Sequence, residues 1–496
     1  MQRRTLLQTA ALATMVGAAP RWTFAGAPAD LSAVTGDGKP ITITAKLLTD
    51  LRASLRGKLL LAEDPGYEQA RQVINPVIDR RPALIIQPAG VADVRSAVNF
   101  ARSLGLLVAV KCGGHSFSGQ STCNGGMQID LSAMRGVRVD PQRRRAWVAG
   151  GTLLGAIDHE AMAFGLVTPL GTVSHTGVGG LTTGGGFGRM ARRFGLALDN
   201  VTAVDIVTAD GVFRRASAKD NADLYWAVRG GGGNFGIITD FEFQLHPVER
   251  QVIGGTLVFP IERARDVLSR YAEYTPRAPD ELYLDAWFAS PAGRPQVCGI
   301  NVCYSGPARD FERAMAPIRN IGTPVADRVA AVDYDRLQRA SDQSDARSEG
   351  NYSKNGFVSS ITVANVKDVL AGFGSDARRT SIVYFQHAGG AIGRVATNAT
   401  AFPHRHAQAN MMVMANWPVN DDAKPHIEWA RQCWKTLEPY THGFYVNEVE
   451  GNEGAAVLNA NYLGNYPRLA RIKQQYDPGN LFRLNANITP VGKTIS

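Results

Sequence analysis

Arg229-Gly230-Gly231-Gly232-Gly233-Asn234-Phe235-Gly236 runs directly into Ile237-Ile238-Thr239-Asp240-Phe241-Glu242-Phe243. The first stretch contains Gly231-x-Gly233-x-x-Gly236, the nominal fingerprint of a dinucleotide site. That fingerprint needs a helix immediately after it, so that the helix N-terminus faces the phosphates. Here the following residues alternate as a strand does, which excludes a Rossmann domain. A P-loop is excluded as well, because the only Gly-Lys-Thr, Gly492-Lys493-Thr494, lies outside any glycine-rich strand-to-helix loop.

Two further clusters precede this one. They are Gly113-Gly114-His115-Ser116-Phe117-Ser118-Gly119 and Gly177-Val178-Gly179-Gly180-Leu181-Thr182-Thr183-Gly184-Gly185-Gly186-Phe187-Gly188. Taken singly, each reads as a structural turn. Together they account for much of an excess of 52 glycines in 496 residues. Glycine lets a backbone approach a ligand closely, and successive N–H groups in such turns form an anion-binding concavity. Three such loops, one carrying a histidine, are suited to converge on the pyrophosphate of a cofactor.

Outward from these clusters the chain alternates strands and helices. Strands are read at Ala83–Pro88, Leu107–Val110, Met127–Leu131, Ala146–Ala149, Val201–Thr208, Gly211–Arg214 and Ile237–Leu245. Helices are read at Val91–Leu104 and Thr152–Phe164. Residues 28–250 form one α+β module with two lobes. From 251 to 455 apolar strands such as Thr256–Phe259 and Ser381–Phe385 alternate with helical stretches, predicting a sheet covered by helices on one side. Residues 456–496 form a closing segment with a turn at Asp477-Pro478-Gly479-Asn480.

Composition is that of a globular chain, with 45% hydrophobic and 20% charged residues. The net charge is +9, but Arg3, Arg4 and Arg21 supply three of those charges and no acid precedes Asp30. No basic stripe or motif suggests a nucleic-acid partner. The start, Met1-Gln2-Arg3-Arg4-Thr5-Leu6-Leu7-Gln8, leads into an uncharged stretch from Thr9 to Pro20 and a small-x-small site at Ala25-Gly26-Ala27. This predicts a twin-arginine-type signal over 1–27 rather than a membrane span, and a periplasmic or extracellular protein. Cys112, Cys123, Cys298, Cys303 and Cys433 fit no zinc spacing; Cys298 and Cys303 are open to pairing or to remaining free thiols. His404-Arg405-His406 lacks a carboxylate or cysteine at ligand spacing and reads as surface or packing, so no metal is expected.

Gly113-Gly114-His115-Ser116, the Gly177–Gly188 run and Arg229–Phe241 resemble the PCMH-type FAD-binding module of the vanillyl-alcohol oxidase superfamily. Asn465-Tyr466-Pro467-Arg468-Leu469 with Tyr476-Asp477-Pro478-Gly479-Asn480-Leu481-Phe482 resembles the terminal signature of berberine-bridge-enzyme-like oxidases. The resemblance implies a two-lobed FAD-binding domain with its core at about 79–248 and a substrate domain with an antiparallel sheet. It also implies a C-terminal segment returning to the FAD domain. It places FAD against Gly113, Gly114, His115, Ser116, Gly119, Gly177, Val178, Gly180, Gly184, Gly185, Gly186, Gly188, Gly236 and Ile238, bonded through His115. The second, cysteinyl link of some relatives falls at Val173, so a single link is expected.

For the catalytic base, the resemblance points to Tyr462; a strand glutamate used by other relatives falls near Met412, which cannot serve. Tyr384, His387, Tyr445 and Asn447 are further pocket candidates, and His175 stands just before the second cluster. The implied activity is oxidation of a small alcohol, sugar or amine by FAD, with O₂ as acceptor and hydrogen peroxide as product. The alternatives are a dehydrogenase with another acceptor and a relative that binds a ligand without catalysis.

Overall fold

The computed structural model describes residues 29–340, 342, 348–371, 373–374, 376–448 and 454–492. The 1–27 signal lies outside the described residues. No described helix is long and apolar enough to cross a membrane.

Beside two small two-stranded pairings, two sheets of four and five strands build most of the first part of the chain. One has the order Lys58–Leu60, Leu84–Gln87, Met127–Asp130, Val108–Lys111, and its last three strands are parallel. Parallel strands need a crossover, and the helix Val91–Leu104 supplies it. Val94, Ala97, Val98 and Ala101 on its inner face are fully buried, and Gly105 ends it in the left-handed region at φ 62°. The other sheet is antiparallel, with the order Phe213–Ser217, Val201–Val207, Ile237–Gln244, Arg145–Ala149, Val137–Asp140. Ile237–Gln244 is thus a central strand, as its alternation dictates, and no Rossmann helix follows Gly236.

The third sheet is antiparallel throughout. Its order is Ala326–Asp327, Gln251–Pro260, Val297–Tyr304, Leu282–Ser290, Thr380–His387, Ala409–Pro418, Glu349–Val358. Helices Ala264–Tyr274, Phe311–Arg319 and Ala423–Leu437 cover one face, where Met411, Val413 and Ala415 join the largest core. Alternation turns Asn410 and Met412 to the other face. That face packs on the first part of the chain: Tyr283 and Cys303 meet Met162 and Met190, and Phe357 meets Phe187.

Buried cations tie these parts together. Arg192 donates to the carbonyls of Leu282, Ala388 and Ala278. Arg405 is wholly buried and meets Asp199 through two nitrogens at 2.7 and 2.9 Å. His404, beside it, bonds Asn461 through Nε2. The His404–His406 run therefore includes core packing, and no group of potential metal ligands occurs among the described residues. All five cysteines are free thiols. Cys298 and Cys303 are an odd number of residues apart on one strand, so they face opposite sides of the sheet and join different cores.

At the same junction Gln338 donates to Asp158 Oδ2 at 3.2 Å and to Gly171 O, while Arg189 donates to Gln338 and to Thr172 O. Burial lifts the Asp158 carboxyl from its ordinary 3.8 to about 7. Between those values the folded state holds a proton that the unfolded chain has released. Stability therefore falls as pH rises from about 4 to about 7 and stays reduced above that. The Asp158→Asn variant should lose this contribution, on the order of a few kcal/mol. Its apparent Tm, followed from about pH 5 to about pH 8, should decline measurably less than that of the parent.

The C-terminal helix Tyr466–Tyr476 packs Leu469 and Ala470 against Trp226 and Ala227. Beyond it, Asn234 holds Ala486 O and Ile488 N, and Arg483 reaches Gly36 O. The last described stretch thus lies on the two smaller sheets rather than on the large one.

Candidate functional site

A cavity lies where all three parts meet. The first glycine cluster gives it Gly113, Gly114, His115 and Ser116; the second gives Gly177, Gly179 and Gly180; the third gives Gly232, Gly233, Gly236 and Ile238. The C-terminal stretch adds Phe482, Leu484, Asn485 and Ala486. Gln386 and Tyr445–Glu448 form a further wall, and Thr172, Val173 and His175 another part of the lining.

The loops form this cradle because the backbones approach each other without side chains. A Cβ on Gly113 would stand 2.3 Å from Gly177 N and 2.7 Å from Gly177 Cα. These are backbone atoms with nowhere to move. The Gly113→Ala variant should lose about 1–3 kcal/mol of stability. If the cradle holds the flavin that the resemblance implies, the variant should also purify with little of it, as read from the absorbance near 450 nm relative to that at 280 nm.

Not every residue expected at the cofactor lines this cavity. The second cluster is not only a loop: Val178–Gly184 is a short helix, since packing overrides the poor helix propensity of glycine. Val178 is fully buried in the core and does not line the cavity. Gly184, Gly185, Gly186 and Gly188 do not line it either. Their missing side chains make room for Asn447, the Tyr445 ring, Ala197 and Leu170 O respectively. Gly119 turns the first loop at φ 73° toward Ile78, while its neighbours Ser118 and Gln120 face the cavity.

The tyrosine also differs. Tyr462 is 1% exposed in the core beside Leu469, outside the cavity, and burial alone raises its phenol. Tyr445 is the tyrosine of the cavity wall. Its Oη accepts from Gly186 N at 2.8 Å and Asn447 Nδ2 at 2.7 Å. Burial and the nearby Glu448 hold its proton on at neutral pH. Tyr384 and His387 lie outside the wall: the Tyr384 hydroxyl bonds Asp285, and His387 Nδ1 accepts from Leu284 N. Glu448 was not singled out by its sequence context. It lines the cavity and accepts from Asn410 Nδ2 at 3.1 Å; burial lifts its carboxyl to about 7.

His115 Nε2 lies 2.6 Å from His175 Nδ1, with the rings tilted by 42°. Thr176 Oγ1 is 3.4 Å from His115 Nδ1. Val173 lines the cavity nearby. Cys112 also does, but burial pushes its thiol up to about 11, and it donates to Gly150 O.

Glycine cradles, an apolar slot and a polar wall of Gln386, Tyr445 and Glu448 together define a site for a flavin and a small reductant, the site of an oxidoreductase. Residues 82–217 match the family described as an FAD binding domain, and 444–489 the family described as berberine and berberine like. An FAD-linked oxidoreductase of Dictyostelium discoideum is 31% identical over 435 residues, 86% of this chain and 94% of its own. The (R)-6-hydroxynicotine oxidase of Paenarthrobacter nicotinovorans is 28% identical over 91% of this chain and 100% of its own. The crystal structure of 6-hydroxy-D-nicotine oxidase from Arthrobacter nicotinovorans superposes with a TM-score of 0.81 at 27% identity, covering 88% of this chain and 98% of that one. The chain belongs to the berberine-bridge-like FAD-linked oxidoreductases.

Proposed function

We propose that this protein is an exported oxidase that holds FAD covalently through His115 and oxidises a small alcohol, sugar or amine. FAD, when bound, accepts a hydride from the substrate carbon and passes the electron pair to O₂, giving hydrogen peroxide.

The observation that carries the reading is the His115 imidazole in the cavity wall, oriented by His175 at 2.6 Å. An oriented ring at a fixed position is what a single covalent attachment requires. Gly113, Gly114, Ser116, Gly177, Gly180, Gly236 and Ile238 surround the rest of the cofactor in this reading. Tyr445, which keeps its proton, serves as hydrogen-bond donor to the substrate rather than as base. The paired arginines Arg3-Arg4 and the apolar stretch after them support export.

Acid precipitation of the mature protein followed by peptide mass spectrometry tests the link. FAD mass localised to His115 is the expected result. Flavin free in the supernatant would remove the covalent link. No flavin in either fraction would favour a non-catalytic ligand-binding protein. Peroxide formed in proportion to substrate consumed identifies the oxidase; dye reduction with little peroxide would make the protein a dehydrogenase.

A further inference from the structure

Glu448 is the only carboxylate among the described cavity-lining residues, and no lysine or arginine is among them. Its Oε2 accepts from Asn410 Nδ2 at 3.1 Å. No hydrogen bond reaches its other oxygen among the described residues. Asn410 is fully buried and paired in register with Gln386, itself part of the wall.

Among the described residues, the hydrogen bonds that Glu448 accepts come from the neutral amides of Asn410 and Asn355. Strand Glu349–Val358 contributes Asn355, whose Nδ2 donates to Glu448 O. Lys354 shares the alternate face with Tyr352, which meets Arg431 of the covering helix. Strand Thr380–His387 contributes Gln386, and helix Val178–Gly184 contributes Leu181 and Thr183. Tyr445, a titratable group of the same wall that feels the Glu448 charge, is protonated at neutral pH; the other described titratable groups lining the cavity are His115, His175 and Cys112.

An uncompensated carboxylate in a low-dielectric wall favours a cationic donor. It repels an anion, and a neutral hydroxyl would leave its charge unmatched. We propose that the substrate is an amine whose ammonium group binds Glu448 and transfers its proton there.

The proposal rests on the flavin reading above. In the step, the N–H bond of the ammonium breaks and its proton goes to Glu448. The neutral amine then loses an α-hydrogen with its electron pair to FAD, and a C=N bond forms. O₂ reoxidises the cofactor, and the Glu448 proton leaves with the peroxide. Burial sets the carboxyl near neutrality, where it can both accept and release that proton.

The test uses full-length, FAD-loaded protein and the flavin absorbance change on adding benzylamine, pyrrolidine, benzyl alcohol or benzoate. Flavin content is read first: its absence counts against the cofactor reading, whereas flavin without amine binding counts against the amine alone. The amines should bind more tightly as pH rises from about 6 to about 8, as the carboxyl ionises and the ammonium stays charged. Glu448→Gln should weaken them at least tenfold (roughly one charge-assisted hydrogen bond) and flatten the pH dependence, leaving benzyl alcohol unchanged. Asn410→Leu, which removes the donor, should move the pH midpoint upward. The proposal fails if neither amine perturbs the flavin, if benzoate binds in preference, or if both variants bind amines as the parent does.

Discussion

The His115→Ala variant will carry no flavin that survives acid precipitation. The parent, on the reading above, keeps its flavin in the protein pellet. On the single-link reading the difference is all or nothing: the resemblance puts the other link at Val173, and the Cys112 thiol is held protonated by burial. The variant retains Gly113, Gly114 and the loops around them, so it should still bind FAD reversibly and show the flavin absorbance before acid treatment. Covalent flavin in the variant would place the link elsewhere. A His175→Ala variant makes a useful companion, since loss of the 2.6 Å contact should slow attachment without abolishing the site.

Asp477→Ala should be the most destabilising single change among those considered. Lys473 and Asp477 form an ion pair at 2.6 Å with both side chains wholly buried. Lys473 Nζ also donates to Asn234 O and Phe482 O, while Asp477 accepts from Leu481 N and Phe482 N. Removing the carboxylate breaks this buried ion pair and leaves the Leu481 and Phe482 N–H groups without that acceptor. Such losses cost about 3–5 kcal/mol. A fall in apparent Tm of about 3–5 °C by calorimetry is expected for a chain of this length. Flavin content should fall as well, since Phe482 lines the cavity. A change below about 1 kcal/mol would mean that the junction relaxes around the lysine.

The parts of the fold that were legible in the sequence are those fixed by local rules. Val91–Leu104 shows its buried stripe and its closing glycine, and Ile237–Gln244 shows its alternation. His115 stood out because it sits inside a glycine cluster. The tyrosine did not resolve, because Tyr445 and Tyr462 are both aromatic residues near the C-terminal signature. What separates them is tertiary: Gly184 and Gly185 open the space that Asn447 and Tyr445 fill. Glu448 was hidden for a similar reason. With Glu450 and Glu453 close by in sequence, it reads as part of a solvated acidic stretch. Only its contact with Asn410, on a distant strand, turns it inward. Gly184, Gly185, Gly186 and Gly188 were legible as a cluster, but the space their missing side chains leave for Asn447, Tyr445, Ala197 and Leu170 O was not.

The wall made by Phe482, Leu484, Asn485 and Ala486 also fixes an order of events during synthesis. A nascent chain can pair the strands that carry His115 and Gly236 long before that wall leaves the ribosome. Until it emerges, one side of the cradle is open to water. The cradle therefore closes only when segments from Gly113 to Ala486 have come together, and a chain without Phe482–Ala486 would fold its glycine loops around a cavity that lacks one side.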